Sequence, residues 1–198
     1  VVLDISKHFK RIDPLMDNTM SVECGAVLDA VQAQLLPHAK KIGPDPSSGN
    51  ICTLGGMLAN NSAGPHSIIH GNINRHVNSI KMVLADGKIF EAKNILLDEI
   101  DQLPNPEKGY YQKSRKLLEQ YQLGISSSRP NVTKNASGYQ VWDVLTDTHL
   151  NLARLFAGSE GTLGVFIETN LDVVDKMPFR GVVSLYFKDL VNMGVAVQ

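Results

Sequence analysis

The chain has 198 residues, 43% hydrophobic and 20% charged, with 19 basic and 20 acidic side chains giving a formal net charge of −1. That is the profile of an ordinary globular chain with material for a proper core. It excludes a general nucleic-acid binder, which shows a basic excess or stripe, and no apolar run is long enough to span a bilayer as a helix.

In chain order, Val1 to Ile5 is a short β-branched run that predicts a strand. "DPLMDN" (13–18) has turn punctuation, and "TMSVEC" (19–24) alternates weakly as a second strand would. From Ala26 to Leu36 the apolar residues Val27, Ala30, Val31 and Leu35 fall at helical spacing, and Pro37 ends the run. "KKIGPDPSSGN" (40–50) reads as irregular, and "MLANN" as one or two helical turns after a glycine pair. "VNSIKMVLADGKIFEAK" (77–93) is the clearest local signal, two alternating runs around Asp86-Gly87, a hairpin dipeptide. A polar helix is expected over 105–121, with charges 107–119 on its solvated face. Another, "NLARLFAG" (151–158), closes on Gly158. "GVFIETNLDVV" (164–174) and "GVVSLYF" (181–187) read as strands, and "FKDLVNMGVAVQ" as the start of a helix. The sum is an α+β fold with long connections around 43–76 and 124–140, and long ordered loops of this kind are usually functional.

Cys24 and Cys52 are too few for a disulfide framework and favour a reducing, cytoplasmic compartment. The sequons at Asn60, Asn131 and Asn135 then read as chance matches. The chain opens on a strand pattern without Met and closes on a helix start, which predicts a piece of a longer polypeptide truncated at both ends.

The stretch "CTLGGMLANNSAG" (52–64) concentrates small and amide residues. Glycine lets backbone approach a ligand closely, and Gly55-Gly56 ahead of a helix start would suit a phosphate group. A lone glycine pair makes ordinary tight turns more often than a site. That reading weakens because "GSEGTLGVF" (158–166) repeats the same chemistry and "KNASGYQ" (134–140) adds a third polar loop.

These three segments together resemble the FAD-linked oxidase family, of the vanillyl-alcohol oxidase and p-cresol methylhydroxylase fold. The nearest branch holds glycolate oxidase FAD subunits and D-lactate or D-2-hydroxyglutarate dehydrogenases. The resemblance runs from "VVLDIS" to about Val174. It implies an FAD-binding domain over 1–176, namely its second subdomain, mostly antiparallel sheet flanked by helices. Residues 177–198 would begin a substrate or cap domain. By motif match the cofactor contacts would be Pro44, Asp45, Ser48, Cys52, Gly55, Gly56, Asn60, Ser62, Gly64 and Gly71. Glu160, Gly161 and Val165 would close the adenine side. The family's earlier Arg-Gly-Gly-Gly-Thr-Ser loop is absent from this chain, so FAD is expected in a longer parent and weak or absent binding here.

The same resemblance implies oxidation of a D-lactate- or glycolate-like 2-hydroxy acid to a 2-oxo acid. Alternatives are a non-redox binding module on the same fold, or another flavin reaction such as enolpyruvyl sugar-nucleotide reduction. No catalytic residue is assigned within the chain. The electron acceptor stays open, as does a homo-oligomer or partner subunit, and membrane association would come only through a partner. His66, His70 and His76 lack the further ligands a zinc site needs, so loop hydrogen bonding is the expected role and no metal is assigned. Cys52 is expected as a small residue near the flavin, Trp142 and Phe156 as core, and Tyr139 equally as pocket lining or ordinary packing.

Overall fold

The computed structural model describes residues 3–132, 134–179 and 181–197. Strands β1 (Thr19–Glu23), β2 (Lys40–Ile42), β3 (Val77–Val83), β4 (Ile89–Leu96), β5 (His149–Asn151) and β6 (Val165–Asp175) form one sheet. Its spatial order is β1-β6-β3-β4-β5, with β2 also on β6, and every pairing is antiparallel. Helices α1 (Leu28–Leu35), α2 (Leu54–Ala59), α3 (Ser67–His70), α4 (Glu107–Gln120), α5 (Gln122–Ser127), α6 (Leu152–Phe156) and α7 (Leu190–Val197) surround it. The expected α+β class with a mostly antiparallel sheet is what forms.

β6 is the axis of the sheet. One edge takes β1 over residues 168–172 and then β2 over 173–175, while the other edge pairs with β3. Thr169, Leu171 and Val173 turn inward with the period-two alternation of a strand with one covered face, and Phe166 joins them across a second register shift opposite Lys81 and Met82. Register against β3 slips between Val77 and Ser79. Beside that bulge the buried Thr169 hydroxyl donates to the Ser79 carbonyl at 2.9 Å, so the one polar group on the inner row is satisfied. On the other face Asn78 Nδ2 donates to Asn170 Oδ1 at 3.1 Å, and Asn170 Nδ2 to Ser21 Oγ at 3.0 Å, a polar rung across three strands.

The β3–β4 hairpin forms where Asp86-Gly87 predicted it. Gly87 has φ 80°, the left-handed conformation that favours glycine, and Asp86 Oδ1 accepts from the Lys88 N–H at 3.1 Å. α4 docks on this hairpin through two residues of an otherwise polar helix, Tyr111 and Leu118. The Tyr111 hydroxyl accepts from Lys93 N at 2.7 Å and donates to Lys93 O at 3.1 Å. Phe90 sits edge-on to Tyr110 and Tyr111 and against Phe156 of α6, with ring centroids 5.2, 6.0 and 5.9 Å away.

Three expectations need correction. Val1 and Val2 lie outside the described residues, and residues 3–5 are in no strand. Residues 181–187, whose β-branched run predicted a strand, pair with nothing among the described residues and are all exposed. β propensity is a preference for a pleated, half-covered surface, and no such surface is offered there. The stretch 43–76 is less irregular than its Pro and Gly content suggests, because α2, α3 and a short 3-10 turn at Ile73–Arg75 fold within it. Replacing Phe90 with Ala should destabilise the chain by about 3–5 kcal/mol, read as a lowered midpoint in urea unfolding.

Candidate functional site

A cleft of about 620 Å³ opens between the segment 3–6, helix α2 and the turn that leads into β6. Leu3, Asp4, Ile5 and Ser6 form one wall, and Thr53, Gly55, Gly56 and Ala59 the second. Glu160, Gly161, Gly164, Val165 and Phe166 form the third.

Local packing explains this arrangement. A Cβ on Gly25 would fall 2.2 Å from the His8 carbonyl oxygen and 2.4 Å from that of Ile5, so only glycine lets the segment 5–9 cross the end of β1. The Gly25 N–H donates to Phe9 O at 2.8 Å and locks the crossing. The third wall is tied to α2 by two backbone bonds, Gly158 N to Leu58 O at 2.7 Å and Glu160 N to Ala59 O at 2.9 Å. Gly158 and Gly161 have φ of 95° and 74°, and Glu160 shares that left-handed backbone at 52°.

The glycine pair does two different things. It lies inside the first turn of α2, not ahead of it, with Thr53 as N-cap. Gly55 is buried, and a Cβ there would meet Cys24 Cβ and Cys24 O at 3.0 Å. Gly56 faces open space, with only Thr53 Oγ1 at 3.5 Å from such a Cβ. The phosphate geometry read from the sequence is not what forms. Leu54 N donates to Ala26 O, Gly55 N to Cys24 O, Gly56 N to Thr53 Oγ1 and Met57 N to Thr53 O. These N–H groups already have acceptors.

Of the thirteen positions named from sequence, the fold brings Gly55, Gly56, Glu160, Gly161 and Val165 into the cleft. The others lie off its lining. Asp45 and Gly64 make a separate junction, where a Cβ on Gly64 would be 2.3 Å from Asp45 Oδ1 and 2.4 Å from its backbone. The Asp45 carboxylate also pairs with His66 Nδ1 and accepts from His66 N at 3.3 Å. Pro44 is buried beside this junction. Ser48 turns the loop by accepting from Ile51 N and Cys52 N. Ser62 Oγ donates to Asn60 Oδ1 at 2.5 Å. Gly71, at φ 68°, caps α3.

The histidines serve loop packing. His76 Nε2 is 2.9 Å from the His70 carbonyl, which can only accept, so Nε2 is the donor. Burial pushes the His70 pKa down. Among the described residues no group of three or more His, Cys, Asp and Glu could hold a metal. Tyr139 is 44% exposed, and its OH lies 2.7 Å from Thr162 Oγ1, tying the 134–140 loop to the third wall. Trp142 is not core but half-buried, and Phe156 is partly buried against the core.

Sequence reasoning missed Asp4, Ser6, Thr53 and Ala59. "LDIS" carried a signal as part of the family pattern, but read as a strand it hid the fact that these residues wall a cleft.

The donor set allows a fit test for a flavin dinucleotide. The walls are glycine backbone and apolar side chains, with Asp4 and Glu160 as the charged groups and no Lys or Arg. Such a lining suits a flat, largely uncharged ring, and carboxylates suit hydroxyl or amino donors. The Gly161 N–H has no acceptor among the described residues. Two buried side-chain atoms flanking Gly158, Asn61 Nδ2 and Ser159 Oγ, also lack partners. Buried polar atoms are nearly always bonded, and since Asn61 and Ser159 lie outside the cleft lining, ordered water would satisfy them; the exposed Gly161 N–H is the one that faces the cleft turn. The residues fit the neutral portions of FAD. The pyrophosphate has no cation within this cleft.

Comparison with known proteins agrees. Residues 1–93 match the family model described as FAD binding domain. The fold aligns with alkyldihydroxyacetonephosphate synthase at a TM-score of 0.52, with 20% identity over 87% of this chain and 22% of that one. The mixed helices and antiparallel sheet thus match a fragment of a p-cresol methylhydroxylase-type FAD-binding fold. Within it, the chain is 31% identical to a D-2-hydroxyglutarate dehydrogenase of Pantoea ananatis over 94% of its own length. It is 29% identical to the Escherichia coli D-2-hydroxyglutarate dehydrogenase over 94%. It is 26% identical to the mitochondrial D-lactate dehydrogenase (cytochrome) of Kluyveromyces lactis, also over 94%. The resemblance to the FAD-linked oxidase family is borne out. The chain spans 19% of the length of the two bacterial relatives and 24% of the yeast one. No described helix is long and apolar enough to cross a membrane.

Two outcomes follow from the packing. Gly55→Ala should cost about 1–3 kcal/mol by overpacking against Cys24, while Gly56→Ala should be neutral or stabilising by up to about 1 kcal/mol from helix propensity; urea unfolding of both variants separates them. Burial, with Glu168 and Glu23 nearby, pushes the Cys24 thiol up to about 12 from an ordinary 9.0. The folded state therefore favours the neutral thiol, and its contribution is complete below pH 9 and is lost as pH rises toward 12. Cys24 should resist iodoacetamide in the native chain at pH 8.5 and react after unfolding, as peptide mass spectrometry would show.

Proposed function

We propose that this chain is the cofactor-holding part of an FAD-dependent oxidoreductase that oxidises a D-2-hydroxy acid to the 2-oxo acid. The observation that carries this is the convergence of Gly55 and Gly56, from the segment matched to the FAD binding domain, with Glu160 and Gly161, from the "GSEGTLG" turn, on one cleft that holds no Lys or Arg. The names of the relatives support a 2-hydroxy acid with a D centre, of lactate or hydroxyglutarate type.

FAD, when bound, supplies the hydride acceptor, and the protein's part is to hold and shield it. Gly56 and Gly161 leave room for the ring system against backbone. Leu3, Ile5, Val165 and Phe166 exclude water from it. Asp4 and Glu160 accept from hydroxyl or amino groups of the cofactor. On this reading residues 1–176 form the FAD-binding domain and 177–198 lead into a substrate domain. Described residues from Asp175 onward are all exposed, in keeping with that division. The groups that bind the hydroxy acid and take its proton belong to the remainder of a longer parent, and the pyrophosphate's partners do too. Isolated, the 198-residue chain then holds FAD weakly.

Visible absorbance after desalting tests this in the longer parent and in this chain, each mixed with FAD. The parent should retain a flavin spectrum that bleaches anaerobically with D-lactate or D-2-hydroxyglutarate, and the chain should retain little. In the parent, Gly56→Leu should weaken FAD retention roughly tenfold or more by filling the cleft. A parent without flavin, or flavin that no D-2-hydroxy acid reduces, would sink the oxidoreductase reading in favour of a non-redox binding module or another flavin reaction. Unchanged retention in Gly56→Leu would sink the assignment of the cleft.

A further inference from the structure

A second cleft, of about 400 Å³, lies between the loop around 129–143, the Asn72–Arg75 turn and helix α6. Three arginines reach it, Arg75, Arg129 and Arg154, and one acid, Asp143. Arg129 forks onto Asp143 with both Nη1–Oδ1 and Nη2–Oδ2 at 2.9 Å, so those two charges cancel. Among the described residues neither Arg75 nor Arg154 has a carboxylate partner. The cleft is thus left with two uncompensated positive charges. Arg154 is half-buried, and a cation withdrawn from water without a counter-ion is costly. Arg75 is exposed, and its side chain lies over Gly71, where a Cβ would meet Arg75 Cδ at 2.6 Å.

Trp142 also lines the cleft, and its Nε1 is buried without an acceptor. An indole N–H can only donate. Arg75 and Arg154, without carboxylate partners, and Trp142, whose indole N–H lacks an acceptor, thus line one polar hollow. Asn72 closes its back by donating from Nδ2 to Asn61 O at 2.8 Å and Asn135 O at 3.2 Å.

We propose that this second cleft binds a small oxyanion, the carboxylate or phosphate group of an organic ligand, between Arg75, Arg154 and Trp142. It is independent of the flavin cleft, whose lining shares none of these residues. Planar guanidinium forks match both oxyanions bidentately.

Trp142 is the single tryptophan of the chain, so its fluorescence reports directly on this cleft. The 198-residue chain is titrated with succinate and, separately, with inorganic phosphate, at ionic strength held constant with sodium chloride. Saturable change in Trp142 emission is expected with at least one of them. Saturation with succinate alone assigns a carboxylate ligand, and with phosphate alone a phosphoryl ligand. Arg154→Gln and Arg75→Gln should each weaken the apparent affinity roughly tenfold, the loss of one charge-assisted contact. Arg115→Gln, on the exposed face of α4, should leave it unchanged. If Arg154→Gln fails to fold by far-UV circular dichroism, Arg75→Gln decides alone. No saturable change with either anion, or equal affinity in the wild type and the cleft variants, would overturn the proposal.

Discussion

The pairing of β6 is the constraint on which the other elements depend. One strand supplies hydrogen bonds to β1 and β2 along one edge and to β3 along the other. An antiparallel ladder fixes which residues face inward, because a slip of one residue would turn Leu171 and Val173 to solvent and Asn170 and Asp172 to the core. The Asn78–Asn170–Ser21 rung and the Thr169 bond to Ser79 both exist only in the observed register. Because β6 begins at Val165, that register also sets the height at which Glu160, Gly161 and Gly164 emerge beside α2. That cleft inherits its geometry from the sheet.

Small residues around this cleft answer two separate demands. Gly25, Gly55 and Gly64 are required by neighbours within the fold, since each would place a Cβ against backbone or a buried side chain. Gly56 and Gly161 meet little or nothing, and what their lack of a side chain leaves free is cleft volume. Only the second kind bears on ligand binding. A glycine-rich motif is therefore a mixture, and its two components differ in what a substitution would disturb: the fold in one case, the ligand in the other.

Legibility of the sequence followed the range of the interactions. The β3–β4 hairpin was readable because Asp86-Gly87 holds its turn through contacts a few residues long, α1 because helical spacing is local, and α4 because helix propensity is too. β2 and β5, three residues each, exist only because Asp175, Val174 and Val173, or Leu96, Ile95 and Asn94, lie opposite them, and no local pattern announces that. Residues 181–187 show the converse, a strand-like composition with no partner among the described residues. The glycine pair was placed in a ligand site by its motif, and the cleft does contain it. Yet the motif could not reveal that Ala26, Cys24 and Thr53 already accept from the N–H groups of α2. The convergence of Arg75, Arg129 and Arg154 was invisible for the same reason, since three arginines far apart in a near-neutral chain leave no compositional trace.

Several joints among the site loops are made from amides and backbone. Asn72 joins the 61 and 135 segments, Asn61 Oδ1 accepts from Asn74 N at 3.2 Å, and Gly158 and Glu160 hang from α2 by backbone hydrogen bonds. None of these groups gains or loses a proton in ordinary buffers, and none is an ion pair that salt would screen. These joints keep their geometry across ordinary changes of buffer, whereas the Arg129–Asp143 pair at the second cleft is a contact that salt screens. Around the first cleft, then, architecture rests on contacts that carry no charge.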